Sequence, residues 1–98
     1  MSFHDAEVLS LRLDRSGPTL ELDVEVFAQQ PDARLVRLRF RNVTDLEIGE
    51  FNDQNVLFDL RAERGDDDLY DVTLLSSYGL GGYFRCATIE AVPTQADA

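Results

Sequence analysis

The sequence predicts an all-β fold, a single small domain spanning residues 1–98 with about seven mostly antiparallel strands arranged as a curved sheet, a barrel or a sandwich. Three observations carry this reading. Apolar residues recur at every second position through most of the chain, the period that places alternate side chains on opposite faces of a strand. Segments rich in Gly, Pro, Asp and Asn separate these runs at the spacing of hairpin turns. A chain of 98 residues also buries about two thirds of its unfolded surface, enough for one unpartitioned core. The ordered core is expected over about 3–93, with a frayed tail at 94–98 beyond Pro93.

In the first strand, Val8 to Asp14, Leu9, Leu11 and Leu13 alternate with Ser10, Arg12 and Asp14. The second repeats the pattern, with Leu20, Leu22, Val24 and Val26 against Glu21, Asp23 and Glu25. Between them, Arg15-Ser16-Gly17-Pro18 supplies turn dihedrals and lacks one donor, so a hairpin is predicted. After the polar stretch Gln29 to Ala33, the third strand sets Val36, Leu38 and Phe40 against Arg37, Arg39 and Arg41. That arginine row matches the acidic row of the second strand in length and spacing, and cross-strand pairing with Glu21, Asp23 and Glu25 is the expected reason for it.

Asn42 to Ile48 reads as a turn into a short strand with Leu46 and Ile48 inward, ending at Gly49. Phe51 to Asn55 has no period and reads as an ordered loop. A second hairpin follows. Val56, Phe58, Leu60 and Ala62 form one face, Gly65-Asp66-Asp67-Asp68 the turn, and Tyr70, Val72 and Leu74 the return strand. A short helix over 54–64 competes, because Leu57, Leu60, Arg61 and Arg64 are good helix formers. In the last segment, Gly82 to Val92, Phe84 and Cys86 alternate with Tyr83 and Arg85, then the phase changes near Thr88 and Ile89, as a β-bulge would produce.

Nineteen Asp and Glu against nine Lys and Arg give a net charge of -10. This is the reverse of the basic footprint that phosphate backbones select, so nucleic acid is not an expected partner, and neither is an anionic membrane. The same field would steer a basic protein or cationic ligand inward, though acidity also serves solubility. A single cysteine allows no internal disulfide, as in proteins of reducing compartments. Met1 to Glu7 lacks the basic and apolar regions of a signal peptide, and no apolar run approaches a membrane span. A cytoplasmic, bacterial location is the simplest expectation.

Residues that could carry chemistry are few. His4, Asp5 and Glu7 are of the types that serve as base and ligand, but His4 and Asp5 point to opposite faces of an extended segment. One His and one Cys do not make a closed zinc site, so no catalytic residue, metal or cofactor is assigned. Cys86 alternates with Phe84 and reads as a small core residue before a nucleophile. Asp66 to Asp68 lack the alternate spacing of a calcium loop and read as a solvated hairpin tip. Ser76-Ser77-Tyr78-Gly79-Leu80-Gly81-Gly82 lacks the lysine of a phosphate loop. It is either a long hairpin connection or a contact surface presenting Tyr78 and Tyr83.

Three separated motifs read together. They are Phe3-His4-Asp5-Ala6-Glu7, Phe51-Asn52-Asp53-Gln54-Asn55-Val56, and Ser76-Ser77-Tyr78-Gly79-Leu80 followed by Phe84-Arg85-Cys86. The set resembles the immunity protein 50 family of bacterial polymorphic toxin systems across nearly the whole chain. The resemblance implies a non-enzymatic cytoplasmic protein that neutralises a cognate toxin by binding it. An acidic surface suits a basic toxin, because complementary charge raises association rates and selects partners. The expected contact residues are His4, Asp5, Glu7, Asn52, Asp53, Gln54, Asn55, Ser76, Ser77, Tyr78 and Tyr83. Two other readings stand beside it. One is a small-ligand module or enzyme with His4, Asp5, Glu7, Gln54 and Asn55 around a cavity mouth. The other is a structural domain that forms a homodimer through an uncovered edge strand.

Overall fold

A computed structural model of the chain describes residues 5–26 and 34–93. The expectations placed on His4, on Gln29 to Ala33 and on the tail 94–98 lie outside the described residues. The fold is all-β: β1 (Glu7–Asp14), β2 (Thr19–Val26), β3 (Arg34–Arg41), β4 (Thr44–Gly49), β5 (Val56–Arg64), β6 (Tyr70–Tyr78), β7 (Gly81–Cys86) and β8 (Thr88–Pro93). All pairings are antiparallel, and the strands form one curved sheet in the order β4-β7-β6-β5-β1-β2-β3-β8. The segment 56–64 is strand throughout, which removes the helical alternative. Eight strands replace the expected seven because the final segment divides.

The division at Ala87 is the feature that shapes the molecule. β3 stands next to one end of the strand order and β4 at the other, yet only Asn42 and Val43 join them; β7 and β8 are likewise joined through Ala87 alone. Asn42 takes a left-handed backbone (φ 58), Val43 turns into the core, and the Ala87 N–H donates to the Arg41 carbonyl at 2.9 Å. Both connections therefore bend at one corner and fold the sheet over itself. The phase change near Thr88 comes from this corner, where the chain exchanges β4 and β6 for β3 as neighbours.

The core collects the inward rows from both halves of the sheet: Leu20, Leu22, Val24 and Val26 of β2, Val36, Leu38 and Phe40 of β3, Val72 and Leu74 of β6, and Phe84 and Cys86 of β7. Phe40 and Phe84 meet edge to face across it, with ring centroids 4.9 Å apart. Leu80 and Leu57 close one end, both buried.

Five apolar residues depart from the expected burial. Leu9 falls where the β1–β2 register shifts between Val8 and Ser10, so Val8 is buried and Leu9 is exposed. Leu13 pairs with Leu20 but stands beside the hairpin turn and is half exposed. In β5 the register shifts on both sides of Leu57, which turns Leu57 inward and Phe58 outward. A bulge inserts one residue and reverses the alternation beyond it. Ala62, on the same expected face, is exposed near the strand end.

The outer face of β1, β2, β3 and β8 carries the charged rows. Arg37 lies opposite Asp23 and donates to both its oxygens, at 2.8 and 3.2 Å; Arg39 lies opposite Glu21 and donates to it at 2.7 Å. The third pair differs from expectation, since Glu25 stands opposite Leu35 and Arg41 donates instead to Glu90 of β8 at 3.0 Å.

Candidate functional site

Three of the segments singled out by sequence converge at one end of the molecule. The Asp5 N–H donates to the Leu57 carbonyl, the Leu57 N–H to the Ala6 carbonyl and the Val8 N–H to the Asn55 carbonyl, each at 2.8 Å. These bonds, with Glu7 opposite Val56, attach the start of β1 to the start of β5. Tyr78, at the end of β6, lies opposite Val56. Asp5–Glu7, Asn52–Val56 and Ser76–Leu80 thus form one contiguous end.

Asn55 organises it. The side chain is 2% exposed, and its Oδ1 accepts from the Asn52 N–H at 2.8 Å and from the Leu80 N–H at 2.9 Å. Its Nδ2 donates to the Asn52 carbonyl at 2.7 Å. A buried amide so satisfied fixes a loop, because without it the buried Leu80 N–H would be desolvated with no acceptor. Gly79 completes the arrangement. Its φ is +79, and a Cβ there would stand 2.5 Å from Asn55 Oδ1 and 2.6 Å from the Gln54 carbonyl oxygen. Ser76 Oγ donates to the Gly79 carbonyl at 2.9 Å. The β6–β7 connection is therefore a tight turn at Gly79 and Leu80, with Ser76, Ser77 and Tyr78 on the strand, and not the long connection expected from the glycine content.

Around this buried hub the surface is open. Asn52, Asp53, Gln54, Ser76 and Ser77 are exposed, as are the large side chains of Phe51 and Tyr78, at 51% and 57%. Asp5 and Glu50 hold left-handed backbone conformations (φ 62 and 65). Non-glycine residues at positive φ carry strain that the surrounding structure must hold, and such positions gather at ligand and partner sites. Glu50 and Phe51 extend the expected set. Phe51 stood inside a quoted motif, whereas nothing in the sequence marks Glu50.

Two expected contact residues are placed differently. Asn55 spends its side chain on the fold and presents none of it to solvent. Tyr83 lies away from this end on the outer face of β7, opposite Glu47 and Thr73. Its hydroxyl donates to Asp71 at 3.0 Å, and Arg85 bridges Asp71 and Asp67. Partial burial, followed by the Asp71 carboxylate, holds the Tyr83 phenol above its usual range. Burial pushes the Cys86 thiol up to about 11, the setting of an inert core thiol, since the thiolate is the nucleophilic form.

Of the residues expected around a cavity mouth, Asp5, Glu7, Gln54 and Asn55 do lie in segments that meet at this end, with Asp5 and Gln54 exposed, Glu7 half-buried and Asn55 buried. A shallow polar depression of about 280 Å³ lies elsewhere, on the outer face, lined by Arg12, Asp14, Thr19, Glu21, Arg39 and Arg41. Among the described residues, no group of three or more His, Cys, Asp or Glu is placed to hold a metal ion. Asp66, Asp67 and Asp68 are exposed on the β5–β6 turn, where Arg85 and Arg64 pair with Asp67 and Asp68.

The geometry defines a small β-sheet module whose most distinctive end is an exposed surface of loops and strand ends pinned by the hydrogen bonds of Asn55. The family model for Immunity protein 50 matches residues 1–95, and the chain belongs to that family. No curated protein and no solved structure matches it.

Proposed function

We propose that this chain is a non-enzymatic immunity protein of the bacterial cytoplasm that neutralises a cognate toxin by direct binding through the Asn55-centred end. The observation that carries the reading is the contrast between a buried, fully bonded Asn55 and the exposed ring of Phe51, Asn52, Asp53, Gln54, Ser76, Ser77 and Tyr78 around it. A surface held rigid before binding loses little conformational entropy on association, and aromatic anchors supply most of the energy at such interfaces. Asp5, Glu7, Glu50 and Asp53, on or beside the segments that carry Phe51 and Tyr78, add negative charge to this end, which fits a basic toxin and would accelerate encounter. His4, the sequence neighbour of Asp5, is carried in the proposal from the sequence alone. Tyr83 serves as a peripheral contact at most, since its hydroxyl is committed to Asp71.

Co-expression with toxins encoded in the same genomic neighbourhood tests this, by pull-down and by rescue of growth. Capture and rescue of one toxin by the native chain, both lost with Phe51→Ala plus Tyr78→Ala, is the expected result. Rescue that survives the double substitution removes the proposed surface. Absence of binding and rescue with every neighbouring toxin removes the function.

A further inference from the structure

The two ends of the strand order are edges of opposite character. β4 carries Asp45 and Glu47, neither in an ion pair among the described residues, and a register shift interrupts its pairing between Thr44 and Glu47. Charge and bulges are the devices by which edge strands resist pairing with another copy. β8, Thr88-Ile89-Glu90-Ala91-Val92-Pro93, has one charge, Glu90. Its carboxylate is held within its own half of the sheet by Arg41 at 3.0 Å and Arg39 at 3.9 Å. Glu90, Ala91 and Val92 are exposed, and β3 is the only strand paired with β8 among the described residues.

We propose that β8 is a self-association edge at which two copies of this chain pair antiparallel across a two-fold axis through Ala91. Charge selects both occupant and register. Two molecules of net charge -10 repel over most of their surfaces, so they associate where carboxylates are already neutralised. Pairing centred on Glu90 would set two carboxylates directly opposite, which is destabilising. Pairing centred on Ala91 keeps the inner and outer faces of the two sheets in register and sets Glu90 opposite the exposed Val92 of the second copy. The outer-face row then reads Arg12, Glu21, Arg39, Glu90 in one copy, continuing into Val92, Arg37, Asp23 and Ser10 of the other, with no like charges adjacent. β8 is separated from β1 by β2 and β3, so this edge is distinct from the proposed toxin-binding end and its occupation does not depend on that reading.

Sedimentation equilibrium of the purified full chain between 5 and 500 μM, on the order of the range over which modest interfaces assemble, tests the proposal. A monomer–dimer equilibrium is expected. Val92→Glu, which faces Glu90 of the second copy but Arg37 of its own sheet, should leave the fold intact and return the protein to monomer. Val92→Gln, a neutral side chain of nearly the same shape as the glutamate, should retain the dimer. Glu47→Lys on β4 should leave the equilibrium unchanged. A native protein that is strictly monomeric throughout, or a dimer that responds alike to both Val92 substitutions, overturns the proposal.

Discussion

Asn55 Oδ1 accepts the backbone N–H of Leu80 at 2.9 Å, joining the loop before β5 to the turn before β7 across 25 residues of sequence. The same oxygen accepts from Asn52, so one amide oxygen satisfies two backbone donors at the end of the sheet. Asn55→Ala should destabilise the protein by about 1–3 kcal/mol, because the buried Leu80 N–H loses its acceptor while the exposed Asn52 backbone can turn to water. Urea unfolding followed by circular dichroism measures this, and a change below about 0.5 kcal/mol would show that the hub is dispensable.

Gly79→Ala should destabilise by at least about 1 kcal/mol, because its positive φ is strained for any side chain and the new Cβ meets backbone at Gln54 as well as Asn55 Oδ1. In the double variant with Asn55→Ala the side-chain clash disappears while the Gln54 contact persists. The two changes should therefore sum to less than their separate effects in a double-mutant cycle. Strict additivity would show that the turn and the loop are not coupled.

The aromatic contact at the centre sets a second scale. Phe84→Ala should cost about 3–5 kcal/mol, since Phe84 is fully buried and meets Phe40 edge to face. Phe51→Ala, at a half-exposed position, should change stability by about 1 kcal/mol or less in the same unfolding assay. That difference separates residues that maintain the fold from those available to a partner.

Acid should weaken the fold through two ion pairs. The Arg37 hydrogen bond holds Asp23 below the ordinary carboxylate range, and Arg85 does the same for Asp67. A carboxyl lowered on folding stabilises the native state above its unfolded value of about 4, and that contribution is lost as pH falls through the lowered native value. The urea midpoint should therefore drop below pH 4, and Asp23→Asn should reduce the drop. Cys86 has the opposite sign. Its raised thiol contributes stability below about pH 8.5 that is lost as pH rises towards 11. A thiol reagent at pH 8 should modify Cys86 at the rate of unfolding, and prompt labelling of the native protein would contradict its burial.

Much of the fold was legible in alternation. The rows of β2 and β3 hold their faces without interruption, so Leu20 to Val26 and Val36 to Phe40 could be placed directly, as could the pairing of Arg37 and Arg39 with acids opposite. Prediction failed where a single extra residue reverses the alternation, at Leu9 and on either side of Leu57, because a bulge leaves no mark in hydrophobicity alone. The corner at Ala87 was visible as a phase change, but its meaning depended on which strands lay opposite, and that is a long-range property. At the candidate site, the motifs named segments that meet at one end of the sheet, without showing that Asn55 faces inward or that Tyr83 lies on the outer face of β7. An amide in a polar loop reads the same in sequence whether it binds a partner or caps a turn.

Titration calorimetry of the purified chain against a toxin from its own genomic neighbourhood tests the proposed inhibitory function most directly. The expected result is a one-to-one complex of nanomolar affinity that weakens at least about a hundredfold with Phe51→Ala plus Tyr78→Ala, the loss of two aromatic anchors of about 1.5 kcal/mol or more each, and is unchanged by Val92→Glu on the far edge. Binding unaffected by the aromatic pair, or absent for every such toxin, would contradict it.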